Sequence, residues 1–153
     1  MGRKQGVSPL DAHLGYWLRL VSNQVSHAFA LKVLAHGVTV AEWVVLRELF
    51  DGSGMMQSAL ADRMAMTRGA ISKLADRLNA KGLIERIEDE KDRRTQTLRL
   101  TESGRKLVPV LSALADKNDA EFFGHLTKPD RESIEAIMTE IVRRQGFRAV
   151  PVD

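Results

Sequence analysis

The sequence predicts a mostly α-helical chain interrupted by one small β-hairpin, and three observations predict it. Through most of the chain, apolar residues recur at three- and four-residue spacings, which put them on one face of a helix. Residues 83–101 break that rule. There Leu98 and Leu100 alternate with Thr97, Arg99 and Thr101, the period of two of a strand with one wet face. Between the two arms of this segment, Asp89 to Arg94 are all charged, which only a solvated tip accommodates.

Taken in order, Ser8-Pro9-Leu10-Asp11 reads as a helix start, with a hydroxyl cap, proline at the first position and an acid at the third. The helix it opens runs to about Ala35 and is apolar on more than one side, so it needs a partner surface. Thr39-Val40-Ala41-Glu42 is a capping box opening a second helix, whose expected buried side is Trp43, Leu46, Leu49 and Phe50. Asp51-Gly52-Ser53-Gly54 is a plain loop; no Gly-Lys-Ser follows to make it a phosphate cradle. Gln57 to Met64 is a short helix, and Ala65-Met66 links it tightly to Thr67, the expected cap of the next. That next helix carries Ile71, Leu74, Ala75 and Leu78 as its stripe and stops at Lys81-Gly82. The hairpin follows, although its first arm is irregular, because Ile84 and Ile87 do not share a strand face. Thr101 then caps a helix to about Leu126, and Thr127-Lys128-Pro129-Asp130 starts the last, which ends at Gly146. The tail from Phe147 to Asp153 has no assigned position.

Composition bounds the function. A chain of 153 residues and 17.1 kDa is one domain-sized unit with room for a real core. No run is long and apolar enough for a membrane helix, and MGRKQGVSPL lacks the apolar stretch of a signal peptide, so the expected location is cytoplasmic. With no cysteine, disulfides, thiolate metal sites and thiol-based oxidant sensing are excluded. The net charge is only +3, but its distribution is uneven. Residues 57–101 carry ten cations against seven anions, while 1–56 carry five against four and 102–153 eight against nine.

Helix, tight turn, helix, hairpin is the order of a winged helix-turn-helix DNA reader, whose second helix enters the major groove. The run TRGAISKLADRLNAKGLIERIEDEKDRRTQTLRLTESGRKL, residues 67–107, resembles the MarR family of bacterial transcription regulators. Three features carry the resemblance: the T-R-G-x-[IV]-S-x-L helix, the L-x-x-K-G-L-[IV]-x-R exit, and the D-R-R tip ahead of L-T-E-x-G. It implies a single domain over 1–153, in which 39–101 form the winged reader and 8–35 with 102–147 interlock two chains into a homodimer. Independently, the greasy terminal helices have too little of their own core to cover them. One recognition helix also reads few base pairs, whereas two, spaced roughly 34 Å apart, read a pseudo-palindrome.

The expected partner is therefore double-stranded DNA. Arg68 can fork onto guanine, Ser72 tolerates several bases, and Lys73 reaches a base or a phosphate. Gly69 and Ala70 keep the first turn slim enough to enter the groove. Arg77, Thr67, Gln57 and Ser58 are placed for phosphate. Asp76 reads as a plain solvated residue. Arg93 and Arg94 at the tip suit the minor groove, and the tip is neutral overall, so they act by placement. The resemblance further implies that Asp92 orients Arg94, and that a small aromatic or phenolic effector binds between the dimer helices and the reader. His13, Trp17 and Trp43 are the candidates for its site, with Arg47 as a carboxylate partner.

Other classes fit less well. There is no Gly-x-Ser-x-Gly and no nucleotide loop, and His13, His27, His36 and His125 lie at no metal-ligand spacing. Neither catalysis, nor a cofactor, nor a metal is expected. A repressor acting by occupancy is the primary expectation. An activator, a ligand-independent DNA binder, and a dimeric adaptor that uses the hairpin for protein contacts remain as alternatives, and the adaptor would lack the steep salt dependence of DNA binding.

Overall fold

The four apolar residues of the TRGAISKL helix set the architecture. The structure, a computed structural model, describes residues 6–92 and 95–153. Its elements are α1 (Leu14–Leu34), α2 (Val40–Phe50), β1 (Met55–Met56), α3 (Gln57–Met64), α4 (Arg68–Ala80), β2 (Ile84–Glu88), β3 (Gln96–Leu100), α5 (Glu102–Phe123) and α6 (Lys128–Gln145). Ile71, Leu74, Ala75 and Leu78 of α4 are all buried, against Leu46 and Leu49 of α2, Leu60 and Met64 of α3, and Leu98 of β3. Among the described residues, the buried apolar core draws only on those between Val33 and Leu111.

The three strands form an antiparallel sheet in the order β1-β3-β2. Ile84 pairs with Leu100, Arg86 with Leu98, and Ile87 with Thr97. Because opposed residues share a face, Ile84, Leu98 and Leu100 look into the core while Ile87 faces out with Thr97. This register accounts for the irregular first arm, and it puts Arg86 on the inner side. Strand β1 had no signal of its own, since two residues have no period; it is held by Met55 opposite Leu98.

Caps fix where the helices begin. Thr39, Thr67, Thr101 and Thr127 each accept the backbone N–H three residues on, from Glu42, Ala70, Gly104 and Asp130. Thr101 also donates to the carbonyl of Gly82 at 2.6 Å, so one hydroxyl closes α5 onto the end of α4. Gly104 belongs to the same junction. A Cβ there would stand 2.0 Å from the Leu83 carbonyl oxygen, so only glycine lets α5 lie this close. Gly82 ends α4 at φ +70, and Ala65 makes the α3–α4 turn at φ 49.

Two boundaries differ from expectation. Ser8 caps nothing: Pro9 leads into a single 3-10 turn, Leu10–Ala12, and His13 is extended before α1 starts at Leu14. The cause lies in the carbonyls, because Leu10 O accepts the His13 N–H and Asp11 O accepts the Trp17 indole. Helix α5 ends at Phe123, with Gly124 as its cap, three residues short of Leu126. The expected capping box of α2 is half formed. Glu42 gives its N–H to Thr39, but its carboxylate turns inward.

Outside the core, the picture reverses. α6 has no buried residue, and α1 has only Val33. Among the described residues, no helix is long and apolar enough to cross a membrane.

Candidate nucleic-acid interface

Helix α4 is amphipathic by construction: its buried stripe occupies one side, and Arg68, Gly69, Lys73 and Arg77 are exposed on the rest. Ser72 and Ala70 are half-buried at the border. A side chain at Gly69 would meet nothing within 4 Å, so the first turn presents open space to an incoming molecule. Thr67 commits one lone pair to Ala70 N–H at 3.1 Å, which leaves its hydroxyl hydrogen for another acceptor. Gln57 and Ser58 lie in the first turn of α3, partly buried, and Gln57 Oε1 has no partner among the described residues.

Charge pairing separates the cations of this region into two sets. Arg63 binds Glu48, Lys81 binds Glu42, Arg86 binds Asp76, and Arg99 binds Glu85. Among the described residues Arg68, Lys73 and Arg77 enter no ion pair. The described cations left over are therefore Lys91 at the hairpin tip and the three on the outer face of α4, which are free to meet an external anion without first breaking an internal pair.

Arg86 corrects the reading of Asp76 as merely solvated. From the inner side of β2 its guanidinium reaches Asp76 Oδ1 and the Ser72 carbonyl, at 2.5 and 3.1 Å. The hairpin is thus fastened to α4 in the middle of its polar face. At the tip, Thr95 donates its hydroxyl to Asp92 Oδ2 and its N–H to Asp92 O, while Lys91 N–H bonds Asp89 Oδ1. Arg93 and Arg94 lie outside the described residues.

The expected effector residues are not brought together. Trp43 stands edge-on to Phe29, centroids 6.5 Å apart, in a cleft of about 300 Å³ between α1, α2 and α5. Val25, Ser26, Val40, Val44 and Asn118 complete much of its wall. His13 and Trp17 sit at the start of α1, where Trp17 packs on Tyr16, and neither lines this cleft. Arg47 points elsewhere, paired with Asp51 at 2.8 Å beside the Phe50 ring. Asn118 is buried and ties the floor together, donating to Val25 O and accepting from Lys32. Lys32 also donates to Glu121, which holds that carboxyl below its ordinary range. The unassigned tail finds its place here, for Pro151 and Asp153 border the cleft and Val152 packs against the core.

Two short helices at a tight turn, the second with a free basic face, followed by a hairpin strapped to it, define a winged helix-turn-helix, a DNA-binding fold. Residues 36–95 match the model of the MarR family. Transcriptional regulator HosA of Escherichia coli O157:H7 is 27% identical over 107 residues, covering 70% of this chain and 76% of its own. SarZ, an HTH-type transcriptional regulator of Staphylococcus haemolyticus, is 25% identical over 115 residues, 75% of this chain and 78% of its own. Among solved structures, the S. aureus MepR–DNA complex superposes with a TM-score of 0.78 at 25% identity, over 86% of this chain and 98% of that one. Over residues 36–95 the chain thus resembles the MarR family, and the relatives it matches along most of its length are transcriptional regulators.

Proposed function

We propose that two copies of this chain bind a pseudo-palindromic operator and repress by occupying it. The uncommitted cations on the outer face of α4 carry this reading. A long side chain already held by a carboxylate gains little from a phosphate, whereas Arg68, Lys73 and Arg77 exchange only water and counterions. Arg68 and Lys73 lie nearest the start of α4, where the backbone N–H groups also favour an anion. In this arrangement Arg68, Gly69, Ala70, Ser72 and Lys73 face base edges, and Thr67, Arg77, Gln57 and Ser58 face phosphates. The 89–94 wing enters the minor groove through Arg93 and Arg94, oriented by Asp92. The DNA-bound state of MepR supports the docking mode.

Dimerisation is supported by the arms. Ile134, Ile137, Met138, Ile141 and Val142 of α6 and Leu14, Leu18 and Val21 of α1 are all exposed in one chain. That is a larger apolar surface than a monomer in water tolerates. A second copy covers it and sets the spacing of the two α4 helices. The cleft at Phe29 and Trp43 takes a small aromatic molecule, and its occupation shifts the dimer toward a spacing that misses successive grooves.

Selection of bound sequences from random duplexes tests this reading, with affinity then measured against salt. A two-fold-related motif and a log-linear fall in affinity with salt are expected. Recovery of no sequence above background would overturn it.

A further inference from the structure

Glu42 is the one fully buried carboxylate among the described residues, 1% exposed, and nothing in the reading of DNA so far uses it. Its Oε2 accepts from Lys81 Nζ at 2.6 Å, and its Oε1 accepts from the Thr39 hydroxyl at 3.2 Å. The same Lys81 ammonium donates to the Gly37 carbonyl at 2.8 Å. Lys81 is the C-cap of α4. One cation therefore ties the far end of the recognition helix to the α1–α2 corner and to the first turn of α2. On α2, Glu42 stands two residues from both Val40 and Val44, about 200° around the helix, so it lies opposite the wall those residues give the cleft.

We propose that Glu42 and Lys81 are positioning residues for sequence reading, and that they hold α4 at the angle at which Arg68 and Ser72 meet base edges. The proposal rests on the DNA-reading role of α4. Without the tie, α4 is still capped by Thr67 and packed by its stripe, but its C-terminal end loses its anchor. Base-edge contacts need a fixed approach, whereas long side chains follow a phosphate through a change of tilt. Loss of the tie therefore lowers discrimination between duplexes more than it lowers affinity for duplex in general. Because α2 also walls the cleft, a molecule seated there that displaces α2 carries the end of α4 with it through the same pair.

The test uses the full chain, the best duplex from the random selection, and a scrambled duplex of equal length and composition. Glu42→Gln is the milder lesion, since Lys81 is exposed enough to rehydrate. Lys81→Met leaves the buried carboxylate alone, so Lys81→Arg accompanies it as the conservative variant. Thermal melts confirm that each variant is folded at the assay temperature. Glu42→Gln is expected to lower affinity for the selected duplex about tenfold and leave that for the scrambled one within twofold. Lys81→Arg should keep most of the discrimination, and the double variant Glu42→Gln/Lys81→Met should be no worse than the poorer single. Equal losses on both duplexes, no loss on either, or simple additivity of the two lesions would overturn the proposal. Should wild type itself fail to distinguish the duplexes, the DNA reading falls and the proposal with it.

Discussion

Helices α4 and α6 carry apolar residues at the same spacing and meet opposite fates. On α4, Ile71, Leu74 and Leu78 are 0%, 6% and 0% exposed; on α6, Ile134, Ile137 and Ile141 are 42%, 60% and 42% exposed. Period alone thus says which side of a helix is apolar and not which chain covers it. For α4 the cover is local, supplied by α2, α3 and the sheet. For α6 the described residues supply little beyond Phe123 and Leu126, at and just past the end of α5, beside Ile134 and Met138, and α1 is nearly as bare. The polar sides differ in the matching sense. On α6, Glu140 is engaged by Arg143 and Arg144, which lowers the carboxyl below its ordinary range, whereas the cations of α4's outer face enter no ion pair among the described residues. One helix keeps its apolar side for itself and offers its charge; the other spends its charge internally and offers its apolar side.

The contrast can be broken first at the arms. If the proposed dimer forms through these arms, Ile137→Glu with Ile141→Glu should convert it to monomer in sedimentation velocity and weaken operator binding by at least about 100-fold, since each half-site is then bound separately. The centre should still melt cooperatively. If mass and affinity are unchanged, the exposed face of α6 is not the dimer surface. Within the centre, Gly104→Ala should cost about 3 kcal/mol in denaturant unfolding, because the added methyl meets the Leu83 backbone carbonyl, which has little room to retreat. An unchanged midpoint would mean that the α4–β2 turn moves aside freely.

Smaller effects sharpen the account of the polar side. Arg68→Ala should cost about 1–3 kcal/mol of operator binding and relax preference at the base pairs it reads. Arg94→Ala should cost a similar amount at matched salt, and unchanged affinity there would remove the wing from the mechanism. Thr67→Ala should cost about 1 kcal/mol of stability through the lost cap of α4, read by chemical denaturation. Arg77→Ala should weaken all duplexes alike and reduce the salt slope by about one unit, as for a phosphate contact; a sequence-dependent loss would move Arg77 to a base edge.

Local chemistry was legible in the sequence. The stripe of α4, the threonine caps, the stop at Gly82, and Leu98 with Leu100 are set by neighbours within four residues, and all stand where their spacing places them. What escaped depends on residues far apart in the chain. Glu42 and Lys81 are 39 positions apart, and Glu42 reads locally as half of a capping box. Asp76 gives no sign of its partner Arg86 until the strand register turns that arginine inward. The four effector candidates were grouped by residue type, yet only Trp43 reaches the cleft, because α1 carries His13 and Trp17 away from it. The start of α1 was misread because a cap motif states that a turn can begin there, not that it will continue.

Hydroxyl-radical footprinting of wild type on the selected duplex tests the central claim most directly. Two protected patches on one face of the duplex, centred about one helical turn apart, are expected if paired α4 helices enter successive major grooves. A single patch, or protection spread evenly along the duplex, would contradict it.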